Sequence, residues 1–119
     1  MGALRVTLLQ QALAWREPAA NRVHFETLLR PLAGHSDLVI LPETFTTGFS
    51  MQVQDIAEPA GGPTAQWLTR LAQELDCAIT GSVITREEGR YYNRLLWAVP
   101  GEPLRHYDKR HLFRMGREH

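Results

Sequence analysis

The 119-residue sequence has a single cysteine, Cys77, and a single lysine, Lys109; arginine supplies the other twelve of its thirteen basic side chains. One unpaired cysteine excludes an intramolecular disulfide framework. The N-terminal stretch MGALRVTLLQ is too short in apolar residues for a secretory signal, which together with the lone thiol points to a reducing, cytoplasmic setting. No window approaches the roughly 18 apolar residues of a membrane span. Gly2 does not open a myristoylation site, because Val6 stands where that motif needs Ser or Thr. Net charge is also missing: thirteen basic and thirteen acidic side chains cancel, leaving no global attraction to a polyanion. No membrane or nucleic-acid partner is therefore expected. Internal repeats and low-complexity tracts are absent as well.

What remains is an ordinary globular composition, 44% hydrophobic and 22% charged, enough to bury a core and too short for more than one domain. Leu4 to Leu9, with its Val and Thr, reads as a buried first strand. Pro18 suits a first helical turn, and Phe25, Leu28, Leu29 and Leu32 recur at the spacing of one helix face until Pro31 kinks or ends it. Leu38 to Leu41 is a continuous apolar strand of the parallel, two-side-buried kind, stopped by Pro42. Glu43 to Gly62 lacks periodicity and reads as a long loop, and loops of that length are usually functional. A helix opened by Gly61-Gly62-Pro63 carries the stripe Trp67, Leu68, Leu71, Ala72 and Leu75, and the strand Cys77 to Ile84 follows. Glu87-Glu88-Gly89 is a turn, Arg90 to Val99 a strand, Pro100-Gly101 a turn, and Leu104 to Tyr107 a short last strand. This βαβαβ order with paired strands after it is an α/β pattern, a mixed sheet with helices on one face. In such sheets ligands sit beyond the carboxyl ends of the strands, which directs attention to the segments after Leu41 and after Tyr107. The basic stretch that ends at His119 has no closing helix or strand, so residues 1–119 are expected to be an incomplete domain.

Glu43 lies just beyond an apolar strand, where desolvation by Phe45 and Phe49 would raise its carboxyl pKa toward that of a general base. Lys109 is a compact ammonium in a chain that otherwise uses arginine, and a site built around one developing oxyanion can require that difference. Cys77, at the start of an apolar strand and without a basic neighbour in sequence, reads as a buried structural thiol. His106, His111 and His119 match no common zinc spacing, and no metal or other cofactor is expected.

Two segments resemble the glutamate and lysine motifs of the nitrilase superfamily of carbon–nitrogen hydrolases: Leu41-Pro-Glu-Thr-Phe-Thr-Thr-Gly-Phe-Ser-Met51 and Tyr107-Asp-Lys-Arg-His-Leu-Phe113. The bacterial omega-amidase-like branch is the most similar. Tyr92-Asn93-Arg94-Leu95-Leu96 and the Pro-Gly turn resemble that family's approach to its lysine. The resemblance runs from Leu4 to His119 and implies a four-layer αββα sandwich roughly twice this length, of which this chain would be the N-terminal half. It implies Glu43 as general base, Lys109 as stabiliser of the tetrahedral intermediate and, on a weaker match, Glu118 as an accessory glutamate that positions substrate. It further implies a cysteine nucleophile downstream of the lysine, a role Cys77 cannot take. These 119 residues alone would then be inactive. Small linear amides, including omega-amides of 2-oxo dicarboxylic acids, are the implied substrates, and a homo-oligomer, a dimer, the implied assembly. A different class remains open in the residues themselves. A non-catalytic α/β module could contact a phosphate-bearing partner through the basic strip of Arg105, Lys109, Arg110, Arg114 and Arg117.

Overall fold

A computed structural model describes residues 3–10, 17–48 and 53–111, with side chains through Lys109. In chain order the elements are β1 (Val6–Leu8), α1 (Pro18–Leu29), β2 (Leu38–Ile40), α2 (Val53–Ile56), β3 (Glu58–Pro59), α3 (Pro63–Leu75), β4 (Ala78–Glu87), β5 (Arg90–Ala98) and β6 (Arg105–His111). They form one mixed sheet ordered β1-β2-β4-β5-β6, with β3 beside β4. The strands β1, β2 and β4 run parallel, whereas β4, β5 and β6 form an antiparallel meander. The α/β reading therefore holds.

Local chemistry explains the boundaries. Pro18 occupies the first turn of α1, and Pro31 converts its end into a 3-10 turn over Arg30–Leu32, as a ring that cannot donate a backbone hydrogen bond should. α3 starts at Pro63, and Glu58 serves its first turn by accepting from the Thr64 amide at 2.9 Å. Glu88 and Gly89, both at positive φ, make the two-residue hairpin between β4 and β5.

Strand alternation separates the two faces. Val39, Leu41, Ile79, Val83, Leu96 and Ala98 are buried beneath Phe25 and Leu29 of α1 and Trp67, Leu68 and Leu71 of α3. Phe45 completes this core, its ring edge-on to Phe25 at 5.7 Å and tilted against Trp67 at 5.8 Å. A Cβ at Gly81 would stand 2.9 Å from the Phe45 ring, so glycine lets that ring lie flat on β4. The opposite face carries Leu4, Val6, Leu8, Trp97 and Tyr107, all exposed.

Four expectations need correction. β1 is not a buried strand: it pairs with β2 alone among the described residues, and Val6 and Leu8 are 51% and 61% exposed because they point to the face that α1 and α3 do not cover. The 43–62 segment is not one structureless loop. It holds α2, whose Val53 and Ile56 bury against Ile84, and β3, which adds a short parallel pairing to β4. α2 also means that only the two long helices share a face, since Ile84 belongs to the other one. Finally, the last strand runs on to His111 instead of stopping at Tyr107, because its pairing with β5 continues past a bulge.

Candidate functional site

The site is built at the carboxyl end of β2. Leu41 still donates to the Thr80 carbonyl at 2.8 Å, and Pro42 then ends the ladder. Glu43 follows on the rim, and the chain turns sharply: Thr44 has φ +46, an uncommon conformation for a β-branched residue. Its amide donates to Ser82 Oγ at 2.8 Å, the Phe45 amide donates to the Ser82 carbonyl, and Asn21 of α1 donates to the Thr46 carbonyl. Thr44, Phe45, Thr46 and Thr47 are all buried. A strained turn clamped on three sides is how a rigid scaffold presents one side chain at a fixed place.

Lys109 reaches the same place from 66 residues away. Between Tyr92↔His111 and Arg94↔Asp108 the register slips by one residue, so Lys109 and Arg110 together oppose Asn93. This is a β-bulge, a device that re-aims a side chain and is frequent beside active sites. Lys109 Nζ donates to Glu43 Oε2 at 3.2 Å, and Asn93 Nδ2 donates to the same oxygen at 2.6 Å. Glu43 and Lys109 keep 58% and 48% of their side chains exposed, whereas Asn93 is buried.

Behind the sheet a second cluster locks the bulge. Arg94, with only 7% of its side chain exposed, makes a two-pronged pair with Asp108 at 2.6 and 2.9 Å and bonds Glu87 at 2.8 Å. Alternation thus puts Arg94 and Asp108 on one face and their neighbours Asn93 and Lys109 on the other. Asp108→Ala leaves the guanidinium with Glu87 and the face of the Tyr92 ring. It is expected to cost about 2–3 kcal/mol in urea unfolding, below the loss for a fully buried pair because Glu87 stays.

The expectation that desolvation raises the Glu43 pKa is overturned. The hydrogen bond from Asn93, and after it the one from Lys109, hold the carboxyl below the usual carboxylate range against a smaller opposing effect of burial. Phe45 turns into the core and does not shield the carboxylate, while Phe49 lies outside the described residues. A depressed pKa favours the folded state above the ordinary carboxyl pKa and loses that contribution as pH falls through the folded value. Cys77 is buried at the other end of the sheet, its thiol pushed up first by burial and then by Asp37 and Asp76. From Ser82 back to Cys77 is five residues of strand, roughly 17 Å at 3.3 Å each. Glu118 lies outside the described residues. Of the basic strip, Arg105 pairs with Glu102, Lys109 faces Glu43, and the side chains of Arg110, Arg114 and Arg117 lie outside the description.

Asn93 and Arg94 were legible only as part of the approach to the lysine. The signal available was an Asn followed by a charged residue in mid-strand, both disfavoured there unless each has a partner.

Residues 5–119 match the carbon–nitrogen hydrolase family. The chain is 42% identical over all 119 residues to omega-amidase YafV of Escherichia coli K12, and 29% identical over 117 residues to 2-oxoglutaramate amidase of Bacillus subtilis 168. It spans about half the length of these curated relatives, 46% and 45%. Among solved structures, XC1258 of Xanthomonas campestris, a CN-hydrolase superfamily protein with an arsenic adduct in its active site, superposes with a TM-score of 0.88 at 55% identity. That match covers 98% of this chain and 44% of XC1258. Nit3 of Saccharomyces cerevisiae, of the nitrilase superfamily, shares the fold at 22% identity and a TM-score of 0.76, over 89% of this chain and 44% of its own.

Proposed function

Because the chain belongs to the carbon–nitrogen hydrolase family, we propose that the protein containing it hydrolyses small linear amides, with Glu43 as general base and Lys109 as the oxyanion partner. The observation that carries this reading is the convergence of an ionised carboxylate and the only ammonium side chain of the sequence at 3.2 Å beyond a strand's carboxyl end. Glu43 takes the proton from a thiol, and the thiolate attacks the amide carbon. The oxygen gains the negative charge and meets Lys109 Nζ, which is aimed from the bulge. Protonated Glu43 returns its proton to the leaving nitrogen, the C–N bond breaks, and ammonia departs from a thioester. Glu43 then takes a proton from water, whose oxygen attacks the thioester carbon; the C–S bond breaks, the carboxylic acid leaves, and Glu43 returns the proton to the sulfur, restoring the thiol and the base.

The thiol is not Cys77, which is buried, protonated and remote; in this reading a cysteine outside these 119 residues supplies it. Similarity to an omega-amidase and a 2-oxoglutaramate amidase supports omega-monoamides of 2-oxo dicarboxylic acids as the substrate class. The experiment is ammonia release by the full-length protein from such omega-monoamides, from plain aliphatic amides and from nitriles. Turnover is expected for the omega-monoamides above the aliphatic amides, with none for nitriles. Absence of ammonia from every linear amide would overturn the reading.

A further inference from the structure

Glu43 and Lys109 are each about half exposed in the described residues, and an ion pair between two long, half-exposed side chains fixes geometry less well than a hydrogen bond from a buried donor. Asn93 differs on every count. It is buried in the middle of β5, its backbone is paired opposite Ile84, and its 2.6 Å bond to Glu43 is short and directional. Both donors land on Oε2, and neither uses Oε1.

Resting on the amidase reading, we infer that Asn93 is a positioning residue for the base. Its amide and Lys109 hold Oε2 so that Oε1 is the oxygen that exchanges protons with the nucleophile and with water. An amide N–H donates most strongly to a carboxylate oxygen and still donates, more weakly, to the carbonyl oxygen of a carboxylic acid. The bond therefore survives both halves of the cycle, and Oε1 gains and loses its proton while the rest of the side chain stays still. Lys109 is thereby spared from being the sole partner of Glu43, which leaves its other donors for the oxyanion.

Asn93 Oδ1 is buried and has no hydrogen-bond partner among the described residues, so within them the side chain pairs through its donor alone, and that donor goes to the base.

The test uses Asn93→Leu in the full-length protein, which removes the donor and keeps the branched shape of the side chain. The expected result is a loss in kcat of about 10–100-fold with KM little changed, the size typical of removing a group that orients an active-site residue. The acid limb of the kcat/KM profile should move to higher pH, because the largest influence holding Glu43 ionised is gone. Wild-type kcat, or a kcat loss with an unmoved acid limb, would overturn the role. Should the leucine variant not fold, Asn93→Ala in the full-length protein with 13C-labelled glutamate decides the question. The Glu43 carboxyl carbon should titrate at higher pH than in the wild type, and an unmoved titration overturns the proposal. A wild-type protein without amidase activity would sink the parent reading, while the same carbon titration would still report whether Asn93 fixes Glu43.

Discussion

Glu43→Gln in the full-length protein is expected to lower kcat/KM for amide hydrolysis by about 10³-fold, within the 10²–10⁴ range of a positioned general base. Glutamine keeps the size and reach of the side chain, and its carbonyl oxygen can still accept from Asn93 and Lys109. It cannot take a proton from a thiol or from water. Glutamine also removes the carboxylate whose ionised form Asn93 and Lys109 favour, so urea unfolding is read beside activity to keep a change in stability apart from the loss of the base. Steady-state ammonia release and urea unfolding measured together separate the two effects. In the wild type the held-down carboxyl pKa has a definite sign: the base is ionised in the neutral range, and activity declines on the acid side as it is protonated.

Lys109→Met is expected to lower kcat by about 10²–10³-fold, the loss seen when one oxyanion donor is removed. Lys109→Arg should not restore it. A guanidinium is planar and wider, whereas the bulge opposite Asn93 aims one Nζ at one carboxylate oxygen, with room set by Glu43 and Asn93. A mainly electrostatic role for this residue, such as attracting a negatively charged substrate, predicts the opposite. Arginine would then rescue, and the damage would appear in KM and weaken with salt. Kinetics of the two variants at low and moderate ionic strength distinguish these outcomes.

The helices and central strands were legible because their signals are local: proline at N1 for α1 and α3, the Trp67-to-Leu75 stripe, and the apolar run Leu38 to Leu41. The features that failed to show are those decided by tertiary contacts. β1 has the composition of a buried strand, yet its exposure depends on which face the helices cover. α2 is four residues long and stands on its packing against Ile84. The continuation of β6 depends on a register slip that no periodicity announces. Glu43 and Lys109 could be singled out by position and rarity, but the direction of the Glu43 pKa shift could not. Composition suggested desolvation by neighbouring Phe residues, whereas the structure turns Phe45 inward and brings a donor from β5 in its place. Asn93 was visible as a residue and invisible as a partner, because the contact spans 50 residues of chain.

The most direct measurement is the double-mutant comparison of Glu43→Gln, Lys109→Met and the combined variant in the full-length protein, each assayed for ammonia release from an omega-monoamide. Residues that act as one catalytic unit lose activity non-additively. If Glu43 and Lys109 are the base and oxyanion partner of a single site, the combined variant should be about as slow as the worse single variant. Losses that multiply independently, or single variants that turn over at the wild-type rate, would contradict a shared catalytic site.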